Sequence, residues 1–167
     1  MALEFKITWI LVVLSLVLAF FLFSRQPIHD WVTIYALKTL ITSFSDTLLV
    51  SSGRIEYPLR LLADYFNTSI YFDYIGFPLL CVLYNQTTYQ KNLKHIFGQA
   101  LLYSTAIVLL ETWALKNTRL IAYHSGWTWL HSFVTLTLTF LLVRGIMALL
   151  RRFTRYAHPV GPPRRPY

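Results

Sequence analysis

Residues 7–23 read ITWILVVLSLVLAFFLF, and apart from Thr8 and Ser15 every side chain in them is apolar. No charge interrupts the run, and about 17–25 such residues are what an α-helix needs to cross a bilayer. The run is longer than the roughly 7–15 residues of a secretory signal core. Phe20-Phe21-Leu22-Phe23 also stands where a small-residue cleavage site belongs. We therefore expect a retained first membrane helix.

Working outward, four more segments have comparable length and apolarity: Trp31–Val50, Thr68–Tyr84, His95–Leu115 and Trp127–Leu150. The second is the most polar, and its hydroxyls (Thr39, Thr42, Ser43, Ser45, Thr47) suit a helix enclosed by other helices. The expected fold is all-α: a polytopic integral membrane protein with five transmembrane helices. Its single bundle occupies residues 1–150, and residues 151–167 form a basic, proline-rich cytoplasmic tail. Composition agrees. The 167 residues are 56% hydrophobic and only 13% charged, against about 25% charged in soluble domains, and mean hydropathy is +0.50.

The net charge of +8 does not point to nucleic acid, which needs basic residues on a water-facing surface. Five of the fifteen Lys and Arg lie in residues 151–167, namely Arg151, Arg152, Arg155, Arg164 and Arg165, as in a cytoplasmic anchor against anionic lipid. Placing that tail inside puts eight basic residues on inner segments and five on outer ones. The resulting topology is N-out/C-in in a bacterial inner (cell) membrane. Trp31 then sits at an inner helix end, and Trp9, Trp113, Trp127 and Trp129 sit at outer ends as interfacial anchors.

Between the second and third spans, Ile55, Pro58, Leu59, Leu62, Tyr65 and Phe66 follow helical spacing. Arg54, Glu56, Arg60, Asp64 and Asn67 stand opposite them, and Glu56–Arg60 and Arg60–Asp64 are i, i+4 pairs. The pattern predicts a short amphipathic helix in the interface plane, with Pro58 in its first turn.

Four ionisable residues fall inside the apolar runs: Asp46, Asp73, Glu111 and His131. Each lies four or five residues from the outer end of its span, roughly 6–8 Å deep at 1.5 Å per residue. Charge at such depth is costly, which makes them functional-site candidates. Three chemistries suit three carboxyls and an imidazole at one level. They can coordinate a cation such as Mn²⁺ or Zn²⁺, share protons, or line an aqueous vestibule. A purely structural arrangement competes with these, in which Arg54, Arg60, Lys116 and Arg119 reach down and pair with the acids. Lys38, near the middle of the second span, needs a partner on another helix. Arg144 is expected to snorkel toward the inner surface. Lys38, Arg60, Glu56 and Arg119 are the supporting or charge-pairing candidates.

Cys81 is the single cysteine, which excludes an intrachain disulfide. A Ser/His pair of Ser125 with His124 or His131 lacks any nucleophile elbow or oxyanion loop. No Gly-rich phosphate loop, nucleotide fingerprint, HExxH or CxxC is present. No cofactor is therefore expected, and a membrane enzyme stands third, behind the two functions given below.

Several strings resemble one family of small, uncharacterised multi-pass membrane proteins of spore-forming Gram-positive bacteria. They are Ile55-Glu56-Tyr57-Pro58-Leu59-Arg60, Phe72-Asp73-Tyr74-Ile75-Gly76-Phe77-Pro78 and Cys81-Val82-Leu83-Tyr84-Asn85-Gln86. Leu120-Ile121-Ala122-Tyr123, Trp127-Thr128-Trp129 and His131-Ser132-Phe133 continue the match. The likeness covers roughly residues 45–135 and implies a multi-pass inner-membrane protein, without assigning an activity or a ligand.

Two functions are carried forward. One is a small transporter or channel-like protein with a proton or cation site in the outer half of the bundle. The other is a non-catalytic accessory subunit packed against a partner complex. The partners expected are the lipid bilayer and either a homo-oligomer or another membrane protein, and not nucleic acid.

Overall fold

In the computed structural model, which describes residues 2–59 and 65–157, most of the chain is helical. The elements run α1 (Ala2–Phe23), α2 (Ile28–Ser51), β1 (Ile55–Glu56), a π-helix (Tyr71–Gly76) continuing into α3 (Phe77–Thr87), α4 (Leu93–Asn117), β2 (Ala122–Tyr123) and α5 (Trp129–Ala157). Among the described residues, three helices are long and apolar enough to cross a membrane, over Lys6–Phe23, Leu93–Asn117 and Trp129–Phe153. The other two expected spans fall short by that measure, each for its own reason. α2 has the length but carries Asp30, Lys38 and Asp46. The third apolar run is broken into a π-turn and an 11-residue helix.

α2 is not enclosed by other helices: it buries one stripe, Trp31, Ile34, Lys38, Thr42 and Asp46, while its other side exposes Leu40, Phe44 and Leu48. The spacing of three, four, four and four keeps the buried residues on one helix face. α3 and α5 pack on that face. The apolar part of the stripe joins a core with Val82 and Tyr84 of α3 and Phe140, Val143 and Met147 of α5. The outward faces of α1 and α4 expose Phe20, Phe21, Leu102, Leu109 and Leu110, as lipid-facing helices do.

The break before α3 follows from Pro78. Proline has no N–H to give to the carbonyl four residues back, and its ring clashes with that carbonyl. The chain widens into a π-turn instead, with Phe77 N–H bonded to the Phe72 carbonyl. The Tyr74 carbonyl that Pro78 cannot serve accepts the Tyr35 hydroxyl from α2.

The expected interfacial helix begins differently. Ile55 and Glu56 pair antiparallel with Tyr123 and Ala122, and the Leu59 N–H reaches the Arg119 carbonyl. The helical spacing of that segment thus loses to a ribbon that satisfies backbone groups from two loops at once. Ile55, Tyr57 and Ile121 bury their apolar surface beneath it. Residues 60–64 of the predicted helix lie outside the described residues, as do 158–167 of the predicted tail. α5 continues seven residues past Leu150.

Candidate functional site

Under the ribbon lies a cavity between α2, α4 and α5, lined by Lys38, Thr42, Asp46, Tyr57, Glu111 and Ser132 among others. It offers ≈ 40 Å³ of room for water centres, enough for about three waters. Nothing in so apolar a chain requires a polar chamber here, because aliphatic side chains would fill it at lower cost.

Lys38 is only 2% exposed. Its ammonium donates to Thr139 Oγ1 of α5 at 2.7 Å and sits 5.3 Å from the Phe140 ring centre and 6.0 Å from that of Phe77. Those rings contribute cation–π attraction. The partner on another helix that Lys38 needs is therefore a hydroxyl flanked by two aromatic faces. It also lies within electrostatic reach of Asp46 and Asp73.

Asp46 is 8% exposed and accepts a 2.6 Å hydrogen bond from the Tyr57 hydroxyl. Asp73, carried in by the π-turn, is 0% exposed and faces Asp46. The two carboxyls and the Thr68 hydroxyl are close enough to act on one another. Even so, neither Asp73 oxygen has an aligned hydrogen-bond partner.

Glu111 approaches from α4. Trp127 Nε1 donates to Ser132 Oγ at 3.1 Å, which leaves the Ser132 hydroxyl to donate to Tyr123 Oη at 2.8 Å. Tyr123 in turn donates to Glu111 at 2.8 Å. This chain of donors ends on the carboxylate and holds Glu111 as an acceptor. Both phenols lie in the loops that form the ribbon. Burial, then the Asp46 charge, pushes the Tyr57 phenol well above its ordinary value. Burial, then Glu111, does the same to Tyr123. Both rings are thus committed donors, not acids.

The remaining candidates lie elsewhere. His131 is exposed and tilted over Trp127, with ring centroids 5.1 Å apart. Its Nδ1 accepts the Thr128 N–H at 3.2 Å, which is how the third residue of a helix reaches back in a capping box. α5 starts two residues later than the apolar run suggests, so His131 serves the helix end and not the cluster. Glu56 meets His124 at 3.1 Å on the exposed ribbon. The side chains of Arg54, Lys116 and Arg119 are exposed. Among the described residues none of them forms an ion pair with Asp46, Asp73 or Glu111, so pairing of the buried acids by these loop cations is not what the fold does. Arg60 lies outside the described residues.

Tyr57, Tyr123, Ser132 and Thr139 escaped the sequence reading. Tyr57 stands in a segment that reads as helical, and a hydroxyl in an apolar run carries no mark of its partner. Trp127, expected only to anchor the chain at the interface, also opens the donor chain to Glu111. Among the described residues no three His, Cys, Asp or Glu side chains converge as metal ligands. Compared with known proteins, the chain matches no family model, no curated protein and no solved structure.

Proposed function

We propose that the chain is a five-span membrane protein, N-out/C-in, whose outer-half cavity handles protons as part of a small transporter or channel-like activity. The observation that carries this reading is the burial of Lys38 and Asp46 against a water-sized chamber with Asp73 behind Asp46, all three at most 8% exposed. Two carboxylates side by side at low dielectric do not both stay charged, and the pair shares a proton. With one proton on the pair and the ammonium intact, the three groups sum to zero charge. Moving that proton makes and removes a buried charge, the event that opens or closes transport pathways. A free cation is less favoured, because the Lys38 ammonium already supplies positive charge where a bound ion would sit.

α2, at 24 residues, is about 36 Å long and spans with Lys38 and Asp46 facing the bundle and Leu40 and Phe44 facing outward. The π-turn and α3 complete the third span. The resemblance to the small multi-pass proteins of spore-formers fits this layout.

Proteoliposomes carrying an imposed pH gradient and a pH dye inside test the proposal. Wild-type protein should collapse the gradient at least about tenfold faster than empty vesicles, an effect worth about 1.4 kcal/mol in barrier terms, and Asp73→Asn should abolish the difference. A second reading, an accessory subunit whose charges fix helix register, is favoured by the Lys38–Thr139 contact, which already ties α2 to α5. Wild-type protein that leaves the gradient intact, yet co-purifies with a stoichiometric partner, would establish that reading instead.

A further inference from the structure

At the end of the bundle opposite the cavity, a second group of charges is enclosed. Arg144 and Arg151 stand seven residues apart on α5, two turns along the same face. Arg144 Nη2 donates to the Thr88 carbonyl at the C-terminal end of α3 (3.2 Å). Arg151 Nε donates to Asp30 at 2.7 Å, and its guanidinium lies 4.7 Å from the Tyr89 ring centre. Each guanidinium also retains a buried nitrogen without a partner, Nε of Arg144 and Nη2 of Arg151. The two are near enough to repel each other.

The local charges do not balance. Asp30 is the one carboxylate at this end among the described residues, and the α3 C-terminus adds roughly half a negative charge. Against these stand two guanidiniums, with Arg25, Lys91 and Arg152 exposed nearby in the same terminal layer. A cytoplasmic-side excess of Lys and Arg explains exposed basic residues. It does not explain two guanidiniums drawn together with donors withheld from water, which is costly unless an anion compensates.

We infer that the corner between α3 and α5 at Arg144 and Arg151 binds a phosphate-type oxyanion, supplied by a lipid headgroup or by free phosphate. Guanidinium presents a planar fork of donors that fits phosphate oxygens in pairs. Basic pockets between membrane helices are where anionic headgroups seat.

The test uses the full-length protein and reads thermal stability in two arms. In detergent, inorganic phosphate is compared with chloride at equal ionic strength. In nanodiscs, phosphatidylcholine alone is compared with phosphatidylcholine containing phosphatidylglycerol. Wild-type protein should gain several degrees in at least one arm; the phosphate arm identifies a free anion, the nanodisc arm a headgroup. Arg144→Gln should lose at least two thirds of that gain, whereas Arg152→Gln should keep it. Equal gains in both variants, or none in the wild type, would overturn the site. Should Arg144→Gln fail to fold, phenylglyoxal labelling of the wild type decides: the anion must protect Arg144 and Arg151, and unchanged labelling refutes the inference. Because the corner lies at the other end from the Asp46–Asp73 pair, neither result depends on proton handling.

Discussion

The two ends of this bundle bury charge of opposite surplus. Under the ribbon, among the described residues, one ammonium, Lys38, lies within reach of two carboxyls, Asp46 and Asp73, a third, Glu111, is held by Tyr123, and both oxygens of Asp73 lack an aligned donor. At the other end two guanidiniums share one carboxylate, and two of their nitrogens lack an acceptor. Low dielectric penalises any charge left uncompensated, so each end invites from outside what the chain withholds. The acidic end invites a proton and the basic end an anion. The acidic end is also the more internal, since Asp73 is 0% exposed while the Arg151 and Asp30 side chains are 19% and 24% exposed. Substitutions there should therefore cost more.

The largest effect is expected from Lys38→Met. Stripping the ammonium from the facing acids should destabilise the protein by about 3–5 kcal/mol, as breaking a buried ion cluster does. Adding Asp73→Asn to that background should recover part of the loss, with a coupling of about 1–3 kcal/mol in a double-mutant cycle read by denaturant unfolding in detergent. Additive losses would show that Lys38 and Asp73 do not act on each other. Tyr57→Phe should come next, at about 1.5–3 kcal/mol, because it removes a hydrogen bond to a buried carboxylate.

The phenols also give a pH signature. Burial and a neighbouring acid raise both Tyr57 and Tyr123 in the folded state. Above pH of about 10 the unfolded chain has lost phenolic protons that the folded chain keeps, so it binds fewer and stability falls with pH. Their contribution is full below that pH and disappears as pH climbs through the folded values. Tyr57→Phe combined with Tyr123→Phe should flatten the alkaline limb of a stability–pH curve; an unchanged limb would place its cause elsewhere. His131→Ala should cost about 1 kcal/mol as a lost helix-end contact and leave proton handling unchanged, since its ring does not face the cluster. Glu56→Gln, on the exposed ribbon, should cost under about 0.5 kcal/mol.

Much of the fold was legible as pattern. The uninterrupted run 7–23 and the apolar runs around α4 and α5 declare themselves, because lipid demands apolarity along the whole length of a helix. α2 was legible in another way: Trp31, Ile34, Lys38, Thr42 and Asp46 keep helical spacing, although two charges in the stripe disguise an inward face. Residues 55–59 misled, because helical spacing in a loop competes with a strand partner 68 positions away at Tyr123, and periodicity carries no information about that partner. His131 misled for a related reason. Counting inward from an apolar boundary assumes that helix and apolar run start together, and here Thr128 caps the helix after the run has begun.

What the sequence by itself determined is that ionisable groups lie within apolar segments, at similar distances from their ends. Which groups meet was decided only by tertiary structure. A side chain's depth follows from counting residues, but its azimuth and its partner depend on how helices pack and where each begins. A shift of one residue turns a helical side chain by about 100°. That is why Asp46 and Asp73 face each other across a π-turn while His131, counted to the same depth, points to the surface.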